Sequence, residues 1–120
     1  MMSVLEGLRD SLATIQGVAS CKIGLEKNIS PADYPLIRVV PSRINQEGMD
    51  TRKVDCMIYF GMAISEAETG LEAVYSALFE METAINSKLP GVGAMYRETI
   101  ADEDRLDTYK VMAIRCEVVG

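Results

Sequence analysis

The stretch TRKVDCMIYFGMAI, residues 51–64, constrains this chain most. Val54, Cys56, Ile58, Phe60, Met62 and Ile64 recur at every second position. A period of two places them on one face of a strand, and a face this apolar has to meet a core. Lys53, Asp55, Met57, Tyr59, Gly61 and Ala63 form the other face, which starts charged and ends small or aromatic. DTYKVMAIRCEVV, residues 107–119, repeats the pattern: Met112, Ile114, Cys116 and Val118 face one way, and Val111, Ala113, Arg115, Glu117 and Val119 the other. Two long strands of this kind need helices to cover them. SVLEGLRDSLATI supplies one, with Val4, Leu5, Leu8, Leu12 and Ile15 at helical spacing and a capping-box pattern at Ser3 and Glu6. SEAETGLEAVYSALFEMETAINSKLP supplies the second. Its stripe runs Leu71, Val74, Tyr75, Leu78, Met81, Ile85 and Leu89, and Pro90-Gly91 closes it. The expected fold is α+β: a small single domain over 1–120, with about four mostly antiparallel strands and two helices in the order α-β-β-α-β-β.

The shorter elements fill in around this frame. SCKIGLE reads as a strand or an extended connection, and NISPAD as a turn. YPLIRVVPSR is a strand bounded by Pro35 and Pro41, which mark an edge or a strand end because proline cannot donate to a ladder. RINQEGMDTR, polar and holding Gly48, reads as a long hairpin loop, GAMYRETI as a third strand and DEDR as a turn.

Composition narrows the function classes. The 120 residues carry a formal charge of −6, with 12 basic side chains spread along the chain. Nucleic-acid affinity comes mostly from Lys and Arg neutralising phosphates, so specific DNA or RNA binding is not expected. There is no histidine, which removes the commonest general base and metal ligand. Cys21, Cys56 and Cys116 form no C-x-x-C pair and read as core thiols in a reduced compartment. Asp102, Glu103 and Asp104, with Asp107, are the one place a cation could sit, but the spacing is not that of an EF-hand, and a solvated turn explains it. No cofactor or metal is expected, and no enzyme activity. The start MMSVLEGLRD does not read as a signal peptide and no stretch reads as a membrane span, so a cytoplasmic protein without a membrane partner is expected.

What remains is surface. Two helices cover one face of a four-stranded sheet, and the second face carries Val111, Ala113 and Val119, too apolar for free solvent. A neighbouring subunit would supply the cover; the alternative is that the first helix crosses to this face. Arg38 shares that face with Tyr34, Leu36 and Val40. It would pair with a carboxylate of the neighbour, or within the chain with Glu98 or Glu117.

This layout of leading helix, YPLIRVVPSRI, polar hairpin tip, RKVDCMIYFGMAI, GLEAVYSALFEMETAI and YRETIADEDRLDTYKVMAIRCEV resembles the small tail terminator proteins of long-tailed bacteriophages, also called minor tail protein U-like or tail completion proteins. The resemblance covers nearly the whole chain and lies in order and texture rather than in a signature motif. It implies a hexameric ring on the end of the finished tail tube. That ring would stop tube polymerisation, present the surface on which the head docks, and let DNA pass. The tail tube protein and a head-completion protein would be the partners, in the host-cell cytoplasm during assembly and then in the virion tail. An acidic lumen would repel DNA rather than hold it. A ring made by rotation brings unlike patches together. For that contact Arg38, Arg43, Arg52, Lys53 and Arg115 would offer one sign, and Asp102, Glu103 and Asp104 the other. Another head–tail joining or tail-tube morphogenesis protein, or a small-molecule-binding regulatory domain, fits the same pattern.

Overall fold

The computed structural model describes residues 2–24, 29–49, 51–63, 70–101 and 109–119. Two helices, α1 (Met2–Leu12) and α2 (Gly70–Lys88), pack on a sheet of five strands: β1 (Ser20–Ile23), β2 (Leu36–Glu47), β3 (Thr51–Ala63), β4 (Ala94–Ala101) and β5 (Tyr109–Val119). The spatial order is β1-β2-β3-β5-β4. All pairings are antiparallel except β1 with β2. The α+β expectation holds, with one more strand than the four expected. SCKIGLE contributes the extra one as a short parallel edge, because the connection from Ile23 to Leu36, which holds the 3-10 turn Pro31–Asp33, returns the chain to the end of the sheet where β1 began.

The alternation decides the core. Ile37 and Val39 of β2, Val54, Cys56, Ile58 and Phe60 of β3, and Met112, Ile114, Cys116 and Val118 of β5 are all buried on one face. Leu5, Leu8 and Leu12 of α1 and Val74, Leu78, Met81 and Ile85 of α2 pack onto that same face. The first helix therefore does not cross to the second face. Each fully buried Leu, Ile, Val or Phe contributes about 1.5–3 kcal/mol relative to exposure, so this layer holds the fold together. Helix α1 begins at Met2, which puts Ser3 inside its first turn rather than at the cap. Helix α2 gives way to a 3-10 turn, Pro90–Val92, closed by Gly93 in the left-handed region at φ 71°.

The stretch expected to be a hairpin loop is mostly strand. β2 continues to Glu47 and β3 starts at Thr51, paired in register down to Glu47 with Thr51. Polar side chains do not forbid a strand that has solvent on both faces. β5 stops pairing at Lys53 with Val119, so residues 46–52 project beyond the sheet as a two-stranded arm of about 10 Å at 3.3 Å per residue. The molecule is elongated, with principal extents of 55 × 24 × 24 Å. Pro41 lies in β2 past the end of β1, where its missing N–H costs no ladder bond, and the register shifts by a bulge between Pro41 and Arg43.

Candidate functional site

The sheet face opposite the helices divides into two regions. At one end the chain covers itself. The 3-10 turn Pro31–Asp33 and Tyr34 fold over β1 and β2. Gly61 allows this closure: a Cβ there would lie 3.1 Å from Tyr34 Cε1, from the Lys110 carbonyl oxygen and from Val111 Cγ2. The Ala19 N–H donates to the Pro35 carbonyl at 2.8 Å, and the Ser20 hydroxyl to the Asp33 carbonyl at 2.7 Å. The Asp33 carboxylate accepts from the Ser30 N–H at 2.7 Å and the Ser30 hydroxyl at 3.2 Å, and these bonds hold its pKa below the ordinary value.

Arg38 lies under this cover, 0% exposed. Its Nη1 donates to Ser20 Oγ at 3.0 Å and to the Ile37 carbonyl at 2.9 Å. This corrects the expectation that Arg38 meets a neighbouring subunit. The chain's own segment around Tyr34 covers it, and its bonds link β2 to β1. Sequence reasoning missed that segment's role. NISPAD was legible as a turn, but not as a turn that closes on the second face.

The other end of the face is open and charged. Arg115 Nη1 donates to Glu98 Oε1 at 2.7 Å, and Arg97 reaches Glu117 at 2.6 Å. Lys53 Nζ stands 4.0 Å from the same Glu117 oxygen. The bond from Arg97, with nearby cations, holds Glu117 below the usual carboxylate range. The two carboxylates considered as Arg38 partners thus pair with cations of β3, β4 and β5. Among these ladders stand exposed Met95, Ile100 and Val119. Arg43 is exposed at the root of the arm, opposite Asp55.

Strand alternation puts Arg52 on the other face of the arm, with Ile44, which is half exposed. Met49 at the tip is 93% exposed. The candidate cations are therefore split: Arg43, Lys53 and Arg115 on the open face, Arg52 on the arm's reverse, and Arg38 inside. Asp102, Glu103 and Asp104 lie outside the described residues.

A further surface, absent from the sequence reading, runs along α2 and β4. Phe79 is 58% exposed and stacks on Tyr75 with ring centroids 6.3 Å apart. Below it the Tyr96 hydroxyl and Thr99 Oγ1 share a hydrogen bond of 2.8 Å, and Thr99 donates to Glu82 at 3.0 Å. Shallow hollows on either side of Phe79 join these residues into one strip. The signal was present in the helix pattern, since Phe79 falls off the apolar stripe defined by Leu78, Met81 and Ile85.

The thiols sit in the core layer. Cys56 and Cys116 are buried and directly opposite each other in the β3–β5 register. Their mutual hydrogen bond and burial push the Cys116 thiol well above its ordinary range. Cys21 donates to the Arg9 carbonyl at 3.4 Å, and burial raises it to about 11. Cys21 and Cys116, so protonated, are poor nucleophiles, whereas the bond with Cys116 lowers the pKa of Cys56, which is buried. Among the described residues no group of three or more His, Cys, Asp or Glu side chains is placed to hold a metal ion, and no helix is long and apolar enough to cross a membrane. No protein-family model and no curated protein matches the chain.

Proposed function

We propose that the protein is a non-enzymatic assembly subunit of a phage or prophage tail. It forms a ring that caps the tail tube, stops its polymerisation and offers the head its docking surface. The observation that carries this reading is the uneven dressing of the fold. Both helices lie on one sheet face, while the other is closed at one end only and leaves Met95, Ile100 and Val119 exposed among paired charges. The arm adds surface that contributes nothing to the core. Exposed apolar residues rimmed by polar ones mark contact surfaces. The order of elements, which resembles tail terminators, supports the same reading, and a hexamer with the tube protein and a head-completion protein as partners is its specific form.

Electron microscopy of purified tail tubes mixed with the protein tests it. The expected result is a ring at one tube end and a halt in tube elongation. Tubes that elongate unchanged and carry no added density would sink the reading.

A further inference from the structure

We propose that β4 pairs edge to edge with β4 of a second copy about a two-fold axis. This goes beyond the ring reading: a two-fold contact ends at two copies, so it makes a resting pair of the free protein rather than a ring. β4 ends the sheet, with no strand on its outer side among the described residues, and all of it except Ala94 and Thr99 is exposed. An open edge of this kind presents a row of backbone N–H and C=O groups on which another strand can pair.

The strand's own sequence names the occupant. Ala94–Ala101 reads AMYRETIA. Laid antiparallel on itself about the centre between Arg97 and Glu98, it sets Ala94 against Ala101, Met95 against Ile100, Tyr96 against Thr99 and Arg97 against Glu98, each contact made twice. These are apolar, aromatic–β-branched and opposite-charge pairs, the kinds that stabilise an antiparallel ladder. The faces agree as well. Tyr96 and Glu98 pair with the consecutive residues Cys116 and Arg115, so Arg97 is an extra residue in β4, and this bulge resets the alternation. Met95 and Ile100 therefore both lie on the open face, opposite Glu117 and Ala113. Tyr96 and Thr99 both lie on the helix face, opposite Cys116 and Ile114. Arg97 and Glu98 both reach ion-pair partners on the open face, Glu117 and Arg115. Directly opposed residues of an antiparallel pair share a face, and each pair in this register does. The paired form runs one sheet through both copies, with the helices of both on the same side.

The test uses Met95→Cys and Ile100→Cys, made separately on a Cys21→Ser background and oxidised with copper phenanthroline. The two variants mixed should give a disulfide-linked pair joining positions 95 and 100. Either variant alone should give far less, because its two thiols stand roughly 17 Å apart along the ladder. In parallel, Arg97→Glu and Glu98→Arg should each weaken self-association, followed by light scattering, at least about tenfold, since each sets like charges opposite one another twice. Mixed together, these two variants should associate with near the parent's affinity, because the two acids of one copy then face the two arginines of the other. The cross-link decides the matter if a charge variant fails to fold. A parent that stays monomeric, cross-links no stronger in the mixture than in either variant alone, or folded charge variants that do not rescue each other would each overturn the edge contact. The tube experiment decides the ring reading independently of all three.

Discussion

Arg38 shows how a single residue changes meaning with its surroundings. An arginine on an apolar face reads as an interface residue, yet here it is enclosed by its own chain and bonded to Ser20 and the Ile37 carbonyl. A buried cation is expensive, and removing it leaves a large void. Arg38→Ala should therefore cost about 2–4 kcal/mol in urea unfolding, as large-to-small core changes do. Arg38→Met, which keeps most of the volume and drops the charge, should cost less than half as much. Self-association of the folded Arg38→Met protein should be unchanged; a lost assembly at full stability would return Arg38 to the interface. Gly61 makes the complementary case. Its Cβ would meet a backbone oxygen, which cannot move aside as a flexible side chain does. Gly61→Ala should cost about 1–3 kcal/mol as overpacking, seen as a lowered thermal midpoint.

At the scale of elements, the β4–β5 pairing carries its polar load in ion pairs. Exposed pairs of this kind contribute about 0–1 kcal/mol each. Arg115→Ala should thus leave stability within about 1 kcal/mol of the parent, by denaturant titration. Glu117 gives these ladders a pH dependence. Its carboxyl pKa is depressed in the folded state from an ordinary 4.5. The stability it contributes is complete above pH 4.5 and is lost as pH falls through the lower folded value. Glu117→Gln should flatten the acid limb of the stability profile below pH 4.5, and an unchanged limb would show that Glu117 contributes nothing to it. The elements themselves were legible wherever periodicity spoke. Val54 to Phe60, Met112 to Val118 and the leucines of α1 declare their faces because burial on one side forces a repeat. The arm was not legible, because Gln46, Thr51 and Arg52 need no core and leave no repeat to read. β1 was half legible: Cys21 and Ile23 are apolar enough for a strand, but a parallel edge depends on where the connection from Ile23 to Leu36 returns the chain. The cover over Arg38 depended on Tyr34 meeting Gly61, a contact across 27 positions that no local pattern encodes.

For the whole molecule, stability and assembly belong to different parts. The core is a single layer between two helices and one sheet face, and none of its buried residues lies in the arm at 46–52. That separation makes the arm dispensable for folding, since cutting a solvated hairpin removes little buried apolar area and shortens a loop at small entropic gain. Replacing residues 46–52 by an Asn-Gly turn that joins the paired Asn45 and Lys53 keeps the β2–β3 pairing from Leu36 to Asn45. The shortened protein should unfold with the parent's cooperativity and within about 1 kcal/mol of its stability. If the ring is built through the arm, that same protein should form no rings at concentrations where the parent does, and should leave tail tubes uncapped. Because folding and assembly are read separately, a shortened protein that folds and still forms rings would place the subunit contact on the open sheet face, among Met95, Ile100 and Val119, instead of on the arm.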